Sequence, residues 1–364
     1  MEIKRVVCTV TNDLNYDQRM MRICTSLSGA GYDVLLVGRK KRDSLPLQQK
    51  SFRQKRLFCF FEQGKLFYTE YNIRLFFYLL FLKQDVICAI DLDTILPCLM
   101  ISKIRGKKRV YDAHELFCEM EEIISRPAIY SMWKAIERYA VPQFTNGYTI
   151  GECYAEEFRK MYQVDYKIVR NATVLQPLKI VAPEETYILY QGAVNEGRSF
   201  ETLIPAMRHV KAKLIVCGEG NFYEQAQAIV REYGLEDKVI FKGYIEPAML
   251  KTYTQNAYIG ITLFTNEGKS NYLSMANRFF DYMHFCIPQL CMAYPEYVKV
   301  NSQYEISYLI KNTTQETIAK ALNELLEDTT LHARLKANCL KAREEYCWQK
   351  QEITLLHFYK TILG

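Results

Sequence analysis

Between the apolar run Tyr187–Tyr190 and the amphipathic segment Phe200–Arg208 lies Gly192 to Arg198, a short loop with glycines at both ends and a cation beside the second. A glycine-containing loop in that position can turn backbone N–H groups and a helix N-terminus toward a diphosphate. Arg198 adds a full positive charge for oxygens that become more negative as a bond to a leaving phosphate breaks. The plainer alternative is a turn with a solvated arginine. Downstream, Asp281 falls on a helical pattern, Asn277–His284, where a carboxylate can accept hydrogen bonds from two adjacent ribose hydroxyls. Asn277 and Arg278 open that helix, so amide, charge and helix dipole either face the same diphosphate or serve as an N-cap and a surface charge.

A second group lies in the first half. His114, one of five histidines, follows the strand-like Arg109–Tyr111 and is expected to emerge at a carboxyl edge. Asp112 and Glu115 flank it. One of them orients the ring and the other faces an acceptor, or both are loop and capping carboxylates. Asp91-Leu-Asp93 invites a metal reading, but a helix start follows at Thr94-Ile-Leu-Pro97 and no further oxygen ligands cluster nearby, which favours a cap at Asp93 or Thr94. Asn12 and Asp17, in the loop after the first strand, are acceptor or donor contacts, with Asp17 alternatively capping the next helix. The 12 cysteines form no C-x-x-C pair and no zinc spacing, so they read as buried, reduced thiols of a cytosolic protein. No metal or cofactor is expected.

The formal charge is 47 minus 41, or +6, and it is unevenly spread. From Arg39 to Lys83 there are 11 basic and 3 acidic residues, a balance of +8, so the remainder sums to −2. The same stretch holds 11 aromatics. Lys and Arg interleaved with aromatics suit a surface lying on anionic lipid headgroups. Nucleic acid selects the same mix, but no nucleic-acid-reading module accompanies it. The plain alternative has Phe76–Leu82 in the core and the charges solvated. The longest apolar run, Leu75 to Leu82, is far short of the roughly 20 residues of a spanning helix, and Val6 to Val10 is too short for a signal-peptide core. The expectation is a cytoplasmic protein, peripheral on the inner face of the plasma membrane.

These residues need a scaffold. With 364 residues, the chain is long enough for two domains of about 150 residues each. Short apolar runs at Val6–Val10, Asp33–Val37, Asp85–Ile90, Arg109–Tyr111 and Gly147–Ile150 alternate with helical patterns such as Arg19–Leu27 and Ile129–Tyr139. The alternation restarts after a polar, Pro-containing segment. It runs through strands at Tyr187–Tyr190, Lys213–Val216, Val239–Phe241, Ile259–Leu263 and Pro288–Met292, and a helical tail covers Gln315–Leu363 with a break near Trp348. Continuous apolar strands separated by helices indicate parallel sheets covered on both faces. The expected division is a Rossmann-like domain over 1–170, a linker over 171–185, a second Rossmann-like domain over 186–346, and a helix over 347–364.

A series of motifs in order then resembles one family. Leu189-Tyr-Gln-Gly-Ala-Val-Asn-Glu-Gly-Arg198, Leu214-Ile-Val-Cys-Gly-Glu-Gly220, Val239-Ile-Phe-Lys-Gly243 and Asn277-Arg-Phe-Phe-Asp-Tyr-Met283 with Pro288 resemble the nucleotide-sugar-binding half of glycosyltransferase family 4. Asn12–Arg19, Asp91-Leu-Asp93 and Tyr111-Asp-Ala-His-Glu115 are similar to the N-domain of a bacterial branch. The resemblance implies an α/β GT-B fold, with two doubly wound domains facing across a cleft and the helix over 347–364 packing back on the first domain. It also implies metal-independent, retaining transfer from a UDP- or GDP-linked sugar to a glycan or lipid-linked acceptor in cell-surface polysaccharide or glycolipid synthesis. By the same resemblance His114, Arg198 and Asp281 are catalytic. Gly192, Asn195, Gly197, Gly218, Gly243, Tyr244, Asn277 and Arg278 hold the nucleotide-sugar. Asn12, Asp17, Asp112 and Glu115 face the acceptor. The chain departs from the pattern at Ala193, where the family often has a second cation, and at Leu273, where it has a glutamate for the donor sugar. Two alternatives follow: a nucleotide-sugar 2-epimerase-like enzyme of the same fold, or a non-catalytic scaffold at the membrane. No G-x-G-x-x-G follows the first strand, which argues against a dinucleotide dehydrogenase.

Overall fold

The computed structural model describes residues 3–15, 17–178 and 185–364. They form two compact units: Met1–Asn171 with Lys350–Gly364, and Ala172–Gln349. The expected linker over 171–185 lies partly outside the described residues, Pro183 included; residues 171–178 are irregular.

The first unit is built on seven strands among the described residues: β1 (Arg5–Thr9), β2 (Asp33–Lys40), β3 (Arg53–Phe58), β4 (Val86–Ile90), β5 (Lys108–Ala113), β6 (Gly147–Thr149) and β7 (Lys167–Ile168). Their order is β3-β2-β1-β4-β5-β6-β7, every pair parallel. The central strands β1 and β4 are buried along nearly their whole length, as strands covered by helices on both faces must be. Strand order reverses between β1 and β4. In open parallel sheets the crevice for a ligand lies there, outside the carboxyl ends. The helix from Lys350 onward completes this unit: Phe358 and Tyr359 pack on Tyr148, and Lys108 Nζ donates to the Ile362 carbonyl.

Two elements correct the sequence reading. Residues 53–58, Arg-Gln-Lys-Arg-Leu-Phe, are too charged to resemble a strand, yet they pair with β2 as the exposed edge. Cations suit an edge because they discourage further pairing. Helix Gly64–Phe81 is apolar nearly all round and so carries no periodic signal. It buries Phe67, Tyr71, Leu75 and Leu79 on one line, so Phe76–Leu82 is not a core run: Phe77 and Phe81 are exposed.

The second unit carries β8 (Tyr187–Gln191), β9 (Lys213–Cys217), β10 (Val239–Gly243), β11 (Ile259–Thr262), β12 (Gln289–Met292) and β13 (Ser307–Ile310), in the order β10-β9-β8-β11-β12-β13, again all parallel. Its reversal point lies between β8 and β11. Gly260 on β11 leaves room for the Tyr282 ring, which a Cβ there would approach to 2.5 Å. The helical tail breaks once more than expected, at Asp328, whose carboxylate accepts from the Leu331 amide and starts a new helix. All 12 cysteines are free thiols.

A buried ion pair ties the first unit together. Arg19, on helix Gln18–Gly29 after β1, holds both oxygens of Asp112 at the end of β5, with Nη2–Oδ1 at 2.7 Å and Nε–Oδ2 at 3.0 Å, and donates to the Val169 carbonyl after β7. Burial pushes the Asp112 carboxyl up, and Arg19 pulls it down. Removing one partner leaves a buried charge uncompensated, which costs about 3–5 kcal/mol. Asp112→Ala is therefore expected to lower the urea midpoint by a free energy of that size, whereas Asp33→Ala, at an exposed pair with Arg53, is expected to change it by less than about 1 kcal/mol.

Candidate functional site

In the second unit, the loops after β8, β9 and β10 are laced into one surface at the carboxyl edge. Gly192 N–H donates to the Cys217 carbonyl, Val194 N–H to Glu219, and Gly218 N–H to Gly243. The G-x-G of residues 218–220 exists for this lacing. A Cβ on Gly218, whose φ is +145°, would stand 1.9 Å from the Gly192 carbonyl oxygen, and one on Gly220 would stand 2.2 Å from Asn195 Oδ1. Asn195 is therefore a brace, accepting from the Asn221 amide at 3.1 Å, and not a side chain turned to a ligand. Gly243 (φ +66°) turns the chain so that the Tyr244 amide meets Glu219 Oε1 at 3.2 Å, while Tyr244's ring is exposed. Three amides of the Gly192–Arg198 loop are committed, because Glu196 N–H also donates, to Asn221. The expectation that the loop's amides as a set face a ligand is corrected to that extent.

The cations gather on one aromatic ring. Gly197, at φ +74°, accepts from the Thr265 amide and presents Arg198, whose guanidinium lies 4.5 Å from the Phe264 ring centroid and donates to Asn271 at 3.2 Å. Arg278 lies 4.9 Å from the same ring and 4.4 Å from that of Tyr190, and its Nη1 donates to the Gln191 carbonyl at 2.8 Å. It is only 7% exposed, beside Gly192, where a Cβ would come within 3.0 Å of its Nη1. Two guanidiniums on one ring repel, and a bound anion is what makes such an arrangement favourable. Arg278 Nε, Ser199 Oγ and Thr265 Oγ1 are buried there without hydrogen-bond partners, in a structure where nearly all buried polar atoms are normally satisfied.

Asp281 stands one turn along the same helix. Its Oδ1 accepts from Thr173 Oγ1 at 2.6 Å and its Oδ2 from Gln191 Nε2 at 3.0 Å. Gln191 is itself fixed by Thr254 through Oε1, so the carboxylate is held by a preset frame. Tyr282, the next residue, donates to the Leu189 carbonyl and accepts from the Gln191 amide, which pins the helix to β8. Asn277 is exposed at the first position of the helix, and Leu273 is buried.

In the first unit, His114 emerges after β5 and its Nε2 lies 3.0 Å from Asp91 Oδ2. The ring is thus oriented by Asp91, and not by Asp112 or Glu115. Asp112 is fully buried against Arg19, so its reading as an acceptor contact is withdrawn; Glu115 is half-buried beside Asp91 and raises its pKa. Burial and the nearby Arg19 push the His114 pKa down to about 3. A neutral ring donating through Nε2 carries its lone pair on Nδ1, which is buried and has no partner among the described residues. Asp91 takes φ +54°, unusual for a non-glycine residue, and its buried Oδ1 is unpartnered too. The metal reading of Asp91-Leu-Asp93 has a structural replacement: Asp91 takes His114, while Asp93 accepts from the Thr11 hydroxyl and offers its carbonyl to Asn72. A 3₁₀ turn, Leu92–Thr94, precedes the helix, and Thr94 stands at the helix N-cap as expected, its hydroxyl donated to the carbonyls of Thr9 and Ile90. Asn12 and Asp17 bond each other at 2.6 Å, with Asp17 capping the helix through the Met20 amide. Arg19 and Asp91 escaped the sequence reading as functional residues. The available signals were their place in the motifs Asn12–Arg19 and Asp91-Leu-Asp93 and, for Asp91, its place just past a strand flanking the reversal point.

Residues 179–342 match the family model described as "Glycosyl transferases group 1". The match spans less than half of the chain. Over 69 residues the chain is 32% identical to the N-acetylgalactosamine-N,N'-diacetylbacillosaminyl-diphospho-undecaprenol 4-alpha-N-acetylgalactosaminyltransferase of Campylobacter jejuni, a match spanning 18% of this chain and 19% of that protein. Over 99% of both chains it is similar in structure to sucrose-phosphate synthase from Thermosynechococcus elongatus, with TM-score 0.83 and 15% identity. Anabaena Alr3699/HepE in complex with UDP-glucose aligns with TM-score 0.74 and 11% identity, covering 98% of this chain and 99% of that one. At such identities these likenesses establish the fold alone, a GT-B architecture of two parallel-sheet units.

The acid–base environment gives a test. Burial, only partly offset by hydrogen bonds, raises the Asp93 pKa from 3.8 to about 6. The folded state therefore holds a proton that the unfolded state releases between those values, and wild-type stability falls as pH rises through that window. Asp93→Asn, which mimics the protonated form, is expected to gain melting temperature relative to wild type as pH is raised from 4 to 7. A constant difference between the two melting curves would show that Asp93 is not titrating in this way.

Proposed function

We propose that this protein is a retaining glycosyltransferase that moves a sugar from a UDP- or GDP-linked donor to a glycan or lipid-linked acceptor in cell-surface polysaccharide or glycolipid synthesis. The observation that carries the reading is the pair Arg198 and Arg278 on the Phe264 ring, beside the laced loops and one turn from Asp281. Arg278 supplies the second cation that Ala193 lacks. In this reading the two guanidiniums hold the diphosphate, and Asp281 accepts from the ribose hydroxyls. The HepE complex with UDP-glucose and the lipid-linked acceptor named in the Campylobacter relative support the donor and acceptor classes.

The chemistry balances without an enzymic nucleophile. The bond from the anomeric carbon to the diphosphate oxygen breaks, and negative charge grows on that oxygen opposite Arg198 and Arg278. The acceptor hydroxyl forms the new bond on the same face, and its proton passes to the departing phosphate. His114 Nδ1, an acceptor at neutral pH, takes a hydrogen bond from a hydroxyl of the transferred sugar. Two fixed cations meet the leaving charge, so the reaction proceeds without a bound metal. A lipid-linked acceptor places the protein at the anionic inner face of the membrane through Arg39–Lys83; no helix among the described residues is long and apolar enough to cross a membrane.

A ligand present at 100 times its dissociation constant stabilises the folded state by about 2.7 kcal/mol. UDP or GDP is accordingly expected to raise the melting temperature by several degrees, and Arg278→Gln to reduce that rise sharply. Asp281→Ala is expected to lower turnover at least tenfold. Indifference of the wild type to every nucleotide and nucleotide-sugar would overturn the assignment and favour the scaffold.

A further inference from the structure

The helix Gly64–Phe81 is amphipathic in an inverted sense. Its buried line is Phe67, Tyr71, Leu75 and Leu79, and its most exposed line runs Leu66, Thr69, Ile73, Phe77 and Phe81 at three- and four-residue spacing. A soluble helix ordinarily turns charge to that side. Here Phe77 is 55% exposed and Phe81 81%. The neighbouring helix Ile95–Ile104 packs against the first and ends in two more exposed apolar residues one turn apart, Met100 and Ile104. Arg105 joins the two ends, donating at 2.7 Å to the carbonyls of both Leu80 and Leu82. Ile104 is thereby brought to the end that carries Phe81.

Cations outnumber acids around this end, where Asp85 is paired with Lys107. Lys83 and Lys103 are exposed, and residues 103–109 contain five cations and no acid. The one carboxylate on the longer helix, Glu70, is occupied by the Phe60 and Phe61 amides and by Arg74, so it does not oppose them. The geometry points to a membrane-docking face made of Ile73, Phe77, Phe81, Met100 and Ile104, which enters the headgroup region of an anionic bilayer while Lys83 and Lys103 meet lipid phosphates. Exposed apolar rings framed by cations match a surface that is apolar at depth and negative at its rim. This rests on the membrane part of the reading above and narrows it. The broad Arg39–Lys83 stretch reduces to one end of one helix, joined by a second helix outside that stretch. The strand Arg53–Phe58 and the Asp13–Arg56 pair serve the fold instead.

Co-sedimentation of the whole chain with phosphatidylcholine vesicles, with and without phosphatidylglycerol, tests the face. The wild type is expected to pellet with the anionic vesicles and to be released as salt is raised. Phe77→Ser/Phe81→Ser is expected to bind those vesicles at least about tenfold more weakly with an unchanged melting temperature, because each buried ring contributes a tenfold factor or more. Lys83→Glu/Lys103→Glu is expected to weaken binding mainly at low salt. Undiminished binding by the double Phe variant would overturn the proposal. So would a wild type that ignores both vesicles, or one whose dimer becomes a monomer in that variant without any vesicle binding, which would assign the face to a second copy. The response to UDP is read in parallel. A wild type that sediments but ignores UDP keeps the docking face and loses the donor reading, and the opposite result does the reverse.

Discussion

Parallel pairing is the constraint on which this structure depends. Each sheet is wholly parallel, so no strand can return directly to its neighbour, and every connection within a sheet climbs back through a helix except the irregular stretch between β2 and β3. All carboxyl ends of a sheet therefore emerge on one edge, and the order reversal opens a gap in the helical cover on that edge. Asp91 and His114 leave adjacent strands of the first sheet there. Gly192, Gly218 and Gly243 leave three adjacent strands of the second. The chemistry lies at these ends because backbone geometry brings distant residues together at no other place.

The two units stabilise their groups by different means. The second places cations on aromatic faces: Phe264 supports the Arg198 guanidinium and Tyr190 that of Arg278. The first uses carboxylates as fixed partners. Asp112 neutralises Arg19, Asp91 orients His114, and Asp93 is tied to Thr11. A carboxylate beside Arg278 would have made the second arrangement more stable by itself and less able to bind phosphate.

Much of the fold was legible because β1, β4, β8, β9, β11 and β12 are continuous apolar runs, the mark of strands covered on both faces. The edge strand at Arg53–Phe58 was not, since an edge strand needs neither apolar faces nor alternation. Helix Gly64–Phe81 was opaque for the opposite reason: apolar residues on both its buried and exposed sides erase the period. Within the site, Arg198, Arg278, Asp281 and His114 were legible from motif order and strand ends. The partnerships were not. Asp91 precedes His114 by 23 positions, and only the register of β4 against β5 makes them neighbours. The role of Asn195 as a brace likewise depends on a loop 26 residues away.

Tyr359 and Phe358 have a meaning for synthesis as well as for packing. Their rings fill the space beside Tyr148 on a strand made much earlier in translation, and the ribosome adds them only after the whole second unit. Until they emerge, β6 has an uncovered apolar flank and the whole second unit must be made in the interval. The first unit is thus begun before the second and completed after it, so its incomplete form persists as a nascent species with exposed apolar surface. Its sequence order runs against the usual vectorial sequence in which each domain closes before the next appears.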